Sequence, residues 1–181
     1  ALRLWETVFG DGQWLFDTLH RGTEVRKWEH CGVAVDEAGR LVSAVDLFMR
    51  PVRGADGSPV KVAAVGSVAT LESARRQGLS GRLLEQALAV MEEEGCAWSH
   101  LFTGVHDHYR RYGWFDAPLA SWHGVLRSDL GARVEAEVLD DDAIDRWLET
   151  FAQWWDEQNA TRPLVHVRTA QYWRTAIRPR M

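Results

Sequence analysis

The chain has 181 residues, 46% of them hydrophobic, with 21 Lys and Arg against 26 Asp and Glu, a formal net charge of −5. That length buries one good core and begins a second, and the composition is that of a globular chain. An acidic balance without a clustered basic face argues against nucleic-acid binding, and neither a membrane-length apolar run nor a charged-then-apolar leader is present, so a cytoplasmic location with no membrane partner is expected.

In chain order, residues 2–20 carry Leu4, Trp5, Val8, Phe9, Trp14, Leu15 and Leu19 at helical spacing, interrupted at Gly10 and Gly12; two short helices over one edge of a sheet are predicted. The helical pattern is already running at Ala1, so an upstream strand is expected to precede it. Residues 31–35 and 41–51 read as a hairpin around the turn 36–39, and 61–70 as the next strand after the loop 53–59. A basic glycine turn then leads into a helix whose Leu79, Leu83, Leu84, Ala87, Leu88 and Met91 share one face, with Gly95 as a left-handed stop. A strand over 97–104, a short helix over 107–112 and a strand pair within 114–126 follow. Beyond Ser128, Asp140, Asp141 and Asp142 precede Ile144, Trp147, Leu148, Phe151, Trp154 and Trp155, an amphipathic helix with acids at its start. A second helical piece spans 169–177 with Tyr172 and Trp173.

The strand-to-helix junction at 65–84 carries most chemistry. Gly78 and Gly81 remove side chains where a helix begins, so backbone N–H groups there face outward with Arg75 and Arg76 beside them, an arrangement that holds an anion such as phosphate. Neither the Gly-Lys-Ser/Thr of a nucleotide P-loop nor the Gly-x-Gly-x-x-Gly of a dinucleotide turn is present. Cys31 and Cys96 lack paired spacing and read as buried thiols. His106, Asp107 and His108 invite a metal reading, but neighbours on a short helix point apart and no further ligand is spaced nearby, so no metal is expected.

Arg75-x-x-Gly78-x-Ser80 resembles the Arg/Gln-x-x-Gly-x-Gly/Ala signature of the GNAT superfamily of N-acetyltransferases, and the run from Gly66 to Leu79 is similar to the branch related to the enhanced-intracellular-survival acetyltransferases, with Glu72 where proline is usual. The resemblance covers about residues 2–128. It implies an α/β (α+β) GNAT fold with a mixed, mostly antiparallel sheet flanked by helices, a domain over 1–130, and acetyl-coenzyme A as cosubstrate. The run 164–173 looks like the opening of the second GNAT-like half of that branch; a helical C-terminal cap on one domain is the alternative for 131–181.

By the same resemblance, backbone groups of Val68, Ala69 and Thr70 pair with the pantetheine arm, and Arg75, Arg76, Gln77, Gly78, Leu79, Ser80 and Gly81 surround the pyrophosphate. Tyr109 matches the family's tyrosine general acid, with Tyr112 packing behind it; Gly104 stands where relatives carry a serine, and Thr103 is a substitute for that contact. No general base is assigned, Glu29, Asp46 and Glu72 being the acids nearest the predicted strands. The implied reaction is direct acetyl transfer to a primary amine of a small molecule, polyamine, aminoglycoside or peptide, and the acidic balance suits a cationic amine. The alternative is a non-catalytic acyl-coenzyme A binding module for regulation or assembly. Trp5, Trp14, Trp114 and Trp122 form either an aromatic amine site or core, and a homo-oligomer is a further expectation because tandem relatives form rings.

Overall fold

In the computed structural model, which describes residues 1–10, 27–117 and 138–178, the alternating runs pair into one four-stranded sheet. Its strands are β1 (Cys31–Val35), β2 (Leu41–Arg53), β3 (Pro59–Thr70) and β4 (Trp98–His100), in that spatial order. β1, β2 and β3 are successively antiparallel, and β4 joins β3 in parallel. A parallel neighbour needs a crossover, and the helix α2 (Leu79–Glu93) supplies it. The hairpin turn is held as its sequence implies: Asp36 Oδ1 accepts from the N–H groups of Ala38 and Arg40, and Gly39 takes φ +73°.

Alternation assigns the two faces of the sheet. Val45, Leu47, Ala63 and Val65 point to one side and meet Leu83, Leu84, Ala87 and Met91 of α2 together with Tyr109. On the other side Ala44 and Ala69 pack against Leu4 and Trp5 of α1 (Leu2–Phe9). Each large aliphatic side chain buried this way contributes about 1.5–3 kcal/mol, so the two small cores together hold the helices on. Leu88, expected on the core face of α2, is 37% exposed; it lies about a quarter turn from the line of Leu83, Leu84, Ala87 and Met91, and the sheet does not reach round that far. The second N-terminal helix, with Trp14, and most of the predicted 114–126 pair, with Trp122, lie outside the described residues.

The strand expected over 97–104 pairs only through its first half. β4 meets β3 at Val62, Ala63 and Ala64, and residues 101–105 run on without pairing into the short helix α3 (His106–Arg110). The predicted strand was too long, for β3 pairs with it only as far as Ala64. Between Ala44 and Asp46 on β2 one residue faces two on β3, a bulge with Ser67 at φ +51°.

The C-terminal residues return to the same sheet. α4 (Asp141–Asn159) starts at Asp140, whose carboxylate accepts from Ala143 N at 2.7 Å, an N-cap contributing about 1 kcal/mol. Residues 164–167 then line up against the end of β2 that β1 leaves open: Leu164 N donates to Arg53 O, Arg53 N to Val165 O and Val167 N to Pro51 O. A turn of helix, α5 (Ala170–Tyr172), capped by Thr169, continues as a π-helical stretch Trp173–Ile177.

Candidate active site

β3 and β4 pair only over Val62–Ala64 and Trp98–His100; beyond these residues the carboxyl ends of the two parallel strands are unpaired with each other, and that gap in the ladder is the cleft, the place where open α/β sheets hold ligands. One wall is β3 from Val65 to Thr70. Ser43 fixes its end: the hydroxyl donates to Ala69 O at 3.0 Å and lies 2.8 Å from Thr70 Oγ1. Thr70 O accepts from Arg75 Nε at 3.3 Å. The carbonyls of Ala69 and Thr70 are therefore engaged within the protein, while Val68 sits on the bulge.

The floor is the turn 75–78 and the start of α2. Arg76 takes φ +62° and Gly78 φ +73°, so left-handed residues alternate along the turn, a backbone pattern that curls N–H groups inward around an anion. Gly78 caps α2 without a side chain, Arg82 N is the donor that reaches Gly78 O, and the first turn contains no acid. Its N–H groups point out of the helix end with the positive end of the dipole behind them. Arg75, Arg76, Gln77 and Arg82 are exposed around it. A Cβ on Gly78 would meet nothing, so glycine serves its conformation there. Gly81 is different: a Cβ would lie 2.0 Å from the Tyr112 hydroxyl, so this glycine makes room for a neighbouring side chain and is itself buried. Ser80 Oγ is 3.4 Å from His108 Nε2, tying the helix start to α3, while Leu79 is half-buried beside it.

The far wall is α3. Tyr109 is 9% exposed, packed in the main core with Trp114 edge-on at 6.1 Å. Burial pushes its phenol above the usual tyrosine range, and a hydrogen bond with the Thr103 side chain opposes that rise. Thr103 Oγ1 also accepts from Val105 N at 3.0 Å. The three side chains weighed as metal ligands go to different partners: His106 Nδ1 is 2.7 Å from Asp116 Oδ1, Asp107 pairs with Arg110 at 2.8 Å, and His108 faces Ser80. Arg110 also grips Asp116, and this network borders an open cavity of about 510 Å³ lined by residues 104–108, Arg110 and Asp116.

The remaining expectations separate by burial. Trp5 is fully buried under α1 and belongs to the core, not to an aromatic amine site; Trp114 is half-buried, donating from Nε1 to Ser99 Oγ at 2.9 Å. The thiols expected to be buried are only partly so, and Cys96 Sγ approaches Met49 Sδ at 3.3 Å. Of the acids weighed as base, Glu29 is exposed near Lys27 and Glu72 is exposed at the start of a 3-10 turn, whereas Asp46 is fully buried on β2 beside the bulge. The Thr103–Tyr109, Ser80–His108 and His106–Asp116 contacts have no sequence signature, because each joins residues whose separation carries no periodic meaning.

The chain matches the family described as Acetyltransferase (GNAT) domain over residues 1–116. Two curated proteins of Streptomyces griseus, named uncharacterized N-acetyltransferases, are 31% identical over 111 residues, 60% of this chain. The match takes in 27% of their length, so the chain corresponds to about a quarter of these relatives. Eis1 from Mycobacterium abscessus shares the fold with a TM-score of 0.60 at 18% identity, over 95% of this chain and 43% of its own. Glucosamine-6-phosphate N-acetyltransferase from Arabidopsis thaliana does so with a TM-score of 0.53 at 16% identity, over 68% of this chain and 87% of its own. Sequence match and fold agree with the mixed sheet flanked by helices, and the protein belongs to the GNAT acetyltransferase family.

Proposed function

We propose that this protein transfers an acetyl group from acetyl-coenzyme A directly to the primary amine of a small molecule, polyamine, aminoglycoside or peptide. The observation that carries the reading is the cleft between β3 and β4, with an uncapped helix start and exposed arginines at its floor and a buried tyrosine on its far wall. The anionic pyrophosphate fits the N–H groups of Leu79, Ser80 and Gly81 and the side chains of Arg75 and Arg76, with Gln77 and Gly78 shaping the turn. Val68 at the bulge, with Ala69 and Thr70, lines the path of the pantetheine arm. Acetyl-coenzyme A supplies the thioester carbonyl that the neutral amine attacks.

Tyr109 serves as general acid: a phenol is protonated at neutral pH, burial reinforces this, and it gives its proton to the departing thiolate sulfur. Thr103 orients the phenol. Calorimetry with coenzyme A, paired with thiol release from acetyl-coenzyme A across an amine panel, tests the reading. Saturable binding, lost on Arg75→Ala with Arg76→Ala, and thiol release that depends on the amine are expected. Absence of binding refutes the cofactor assignment, and binding without thiol release on any amine refutes the enzyme.

A further inference from the structure

The sheet face opposite α2 gathers cations without pairing them. Because Val52 faces His166 and Pro51 bonds to Val167, Arg50 and Arg168 occupy opposing positions across the added C-terminal segment. The ladder from Phe48 through Ala64 to His100 brings His100 to the same face, its ring 6.4 Å from that of His166. Two guanidiniums and two imidazoles thus share one patch on the face opposite α2.

Aromatic rings hold these groups in place. The Arg168 guanidinium sits 3.4 Å from the centre of the Trp155 ring and 5.2 Å from that of Trp173, while Arg50 lies 5.7 Å from the centres of the Phe48 and Tyr172 rings. At 3.4 Å a planar guanidinium is stacked, so its N–H groups lie in a plane parallel to the indole and are directed sideways. Among the described residues no carboxylate pairs with Arg50, Arg168, His100 or His166. The nearest ion pair, Arg53 with Asp156 at 3.1 Å, uses its own arginine. Arg50 Nε, Arg168 Nε, His100 Nδ1, His166 Nδ1 and Trp173 Nε1 are all buried without a hydrogen-bond partner. A buried donor left unmade costs about 1–3 kcal/mol, and Arg50 Nε, Arg168 Nε and Trp173 Nε1, donors in every protonation state, are three in one patch, which points to a missing acceptor. The four cationic or titratable residues remain half-buried, so the patch is reachable from solvent. The electrostatics agree: burial and then Arg50, His100 and Arg168 hold His166 down to about 4, and burial and Arg50 lower His100.

We infer that Arg50, Arg168, His100 and His166 form a binding site for a small carboxylate on the sheet face opposite α2. A planar two-oxygen anion matches the donor fork of a guanidinium, which Arg50 and Arg168 each carry at facing strand positions, and the imidazoles and the Trp173 indole provide N–H groups for its remaining lone pairs. This inference does not rest on the acetyl-transfer reading.

The test follows the imidazole resonances of His100 and His166 in the intact protein during titration with sodium glutarate, against sodium chloride at matched ionic strength. Saturable shifts of both rings with glutarate and an upward move of the His166 titration midpoint by about one pH unit are expected, since a bound anion favours imidazolium. Arg50→Gln with Arg168→Gln should weaken glutarate binding at least about tenfold, as loss of charge-assisted hydrogen bonds requires. Identical, non-saturating shifts in chloride overturn the site. So does unchanged glutarate affinity in the double variant, and phosphate saturating more tightly than glutarate overturns the carboxylate assignment. The wild-type titration decides the matter if the double variant does not fold.

Discussion

At the scale of single residues, Tyr109 joins two demands that usually conflict. A side chain packed among Val45, Leu47 and Leu84 is a core residue, yet its hydroxyl is held by Thr103 at the edge of the cleft. Burial raises the phenol pKa by penalising phenolate, and the Thr103 bond works the other way. Tyr109→Phe keeps the ring and removes the proton, so kcat should fall by about 10²–10⁴ while coenzyme A affinity by calorimetry stays within about twofold. A general acid is active while protonated, so the wild-type kcat should hold through neutral pH and decline only above about 10. In Thr103→Val that basic limb should move to higher pH, because the interaction lost is the one that lowers the pKa; a limb that does not move assigns the proton elsewhere.

At the scale of elements, α2 does two jobs with one sequence. Its Leu83, Leu84, Ala87 and Met91 stripe anchors it to the sheet, and that anchoring presents its uncapped start to the cleft. The two glycines of its opening differ in kind. Gly78 is needed for a left-handed φ, which is readable in sequence as a glycine before a helical stripe. Gly81 is needed because Tyr112, from a segment thirty residues on, lays its hydroxyl on the helix, and no local pattern reveals that. Gly81→Ala should destabilise the protein by about 1–3 kcal/mol in urea unfolding through overpacking. Tyr112→Phe deletes the atom 2.0 Å from the added methyl, so the penalty should shrink in the double variant. Equal penalties in both backgrounds would place the strain elsewhere.

At the scale of the whole molecule, the C-terminal segment closes the edge of β2 that β1 leaves bare and brings a cluster of positive charge with it. His166, beside Arg50, His100 and Arg168, is held at about 4 against 6.5 for the free side chain. The unfolded chain therefore takes up the proton first as pH falls. The stability from neutral His166 is complete above 6.5 and is lost as pH drops from there toward 4. Unfolding midpoints measured across that window should fall more steeply for the wild type than for His166→Gln; parallel curves would show that His166 is not the group responsible.

β1, β2 and β3, the turn at 36–39, the stripe of α2, the Asp140 cap and the basic glycine turn were legible in the sequence because each rests on spacing within one element, where alternation, helical period or a capping residue records the physics locally. The family signature belongs to that class, being a short peptide at one strand-to-helix junction. What tertiary structure alone decided is where separate elements meet: the bulge of β3 against β2, the end of the β3–β4 pairing at His100, the burial of Trp5, the Thr103 hydroxyl on Tyr109, the space Gly81 leaves for Tyr112, and the facing positions of Arg50 and Arg168 from opposite parts of the chain. Contacts between distant residues leave no period in a sequence, since their energy depends on shape and dielectric at the meeting point.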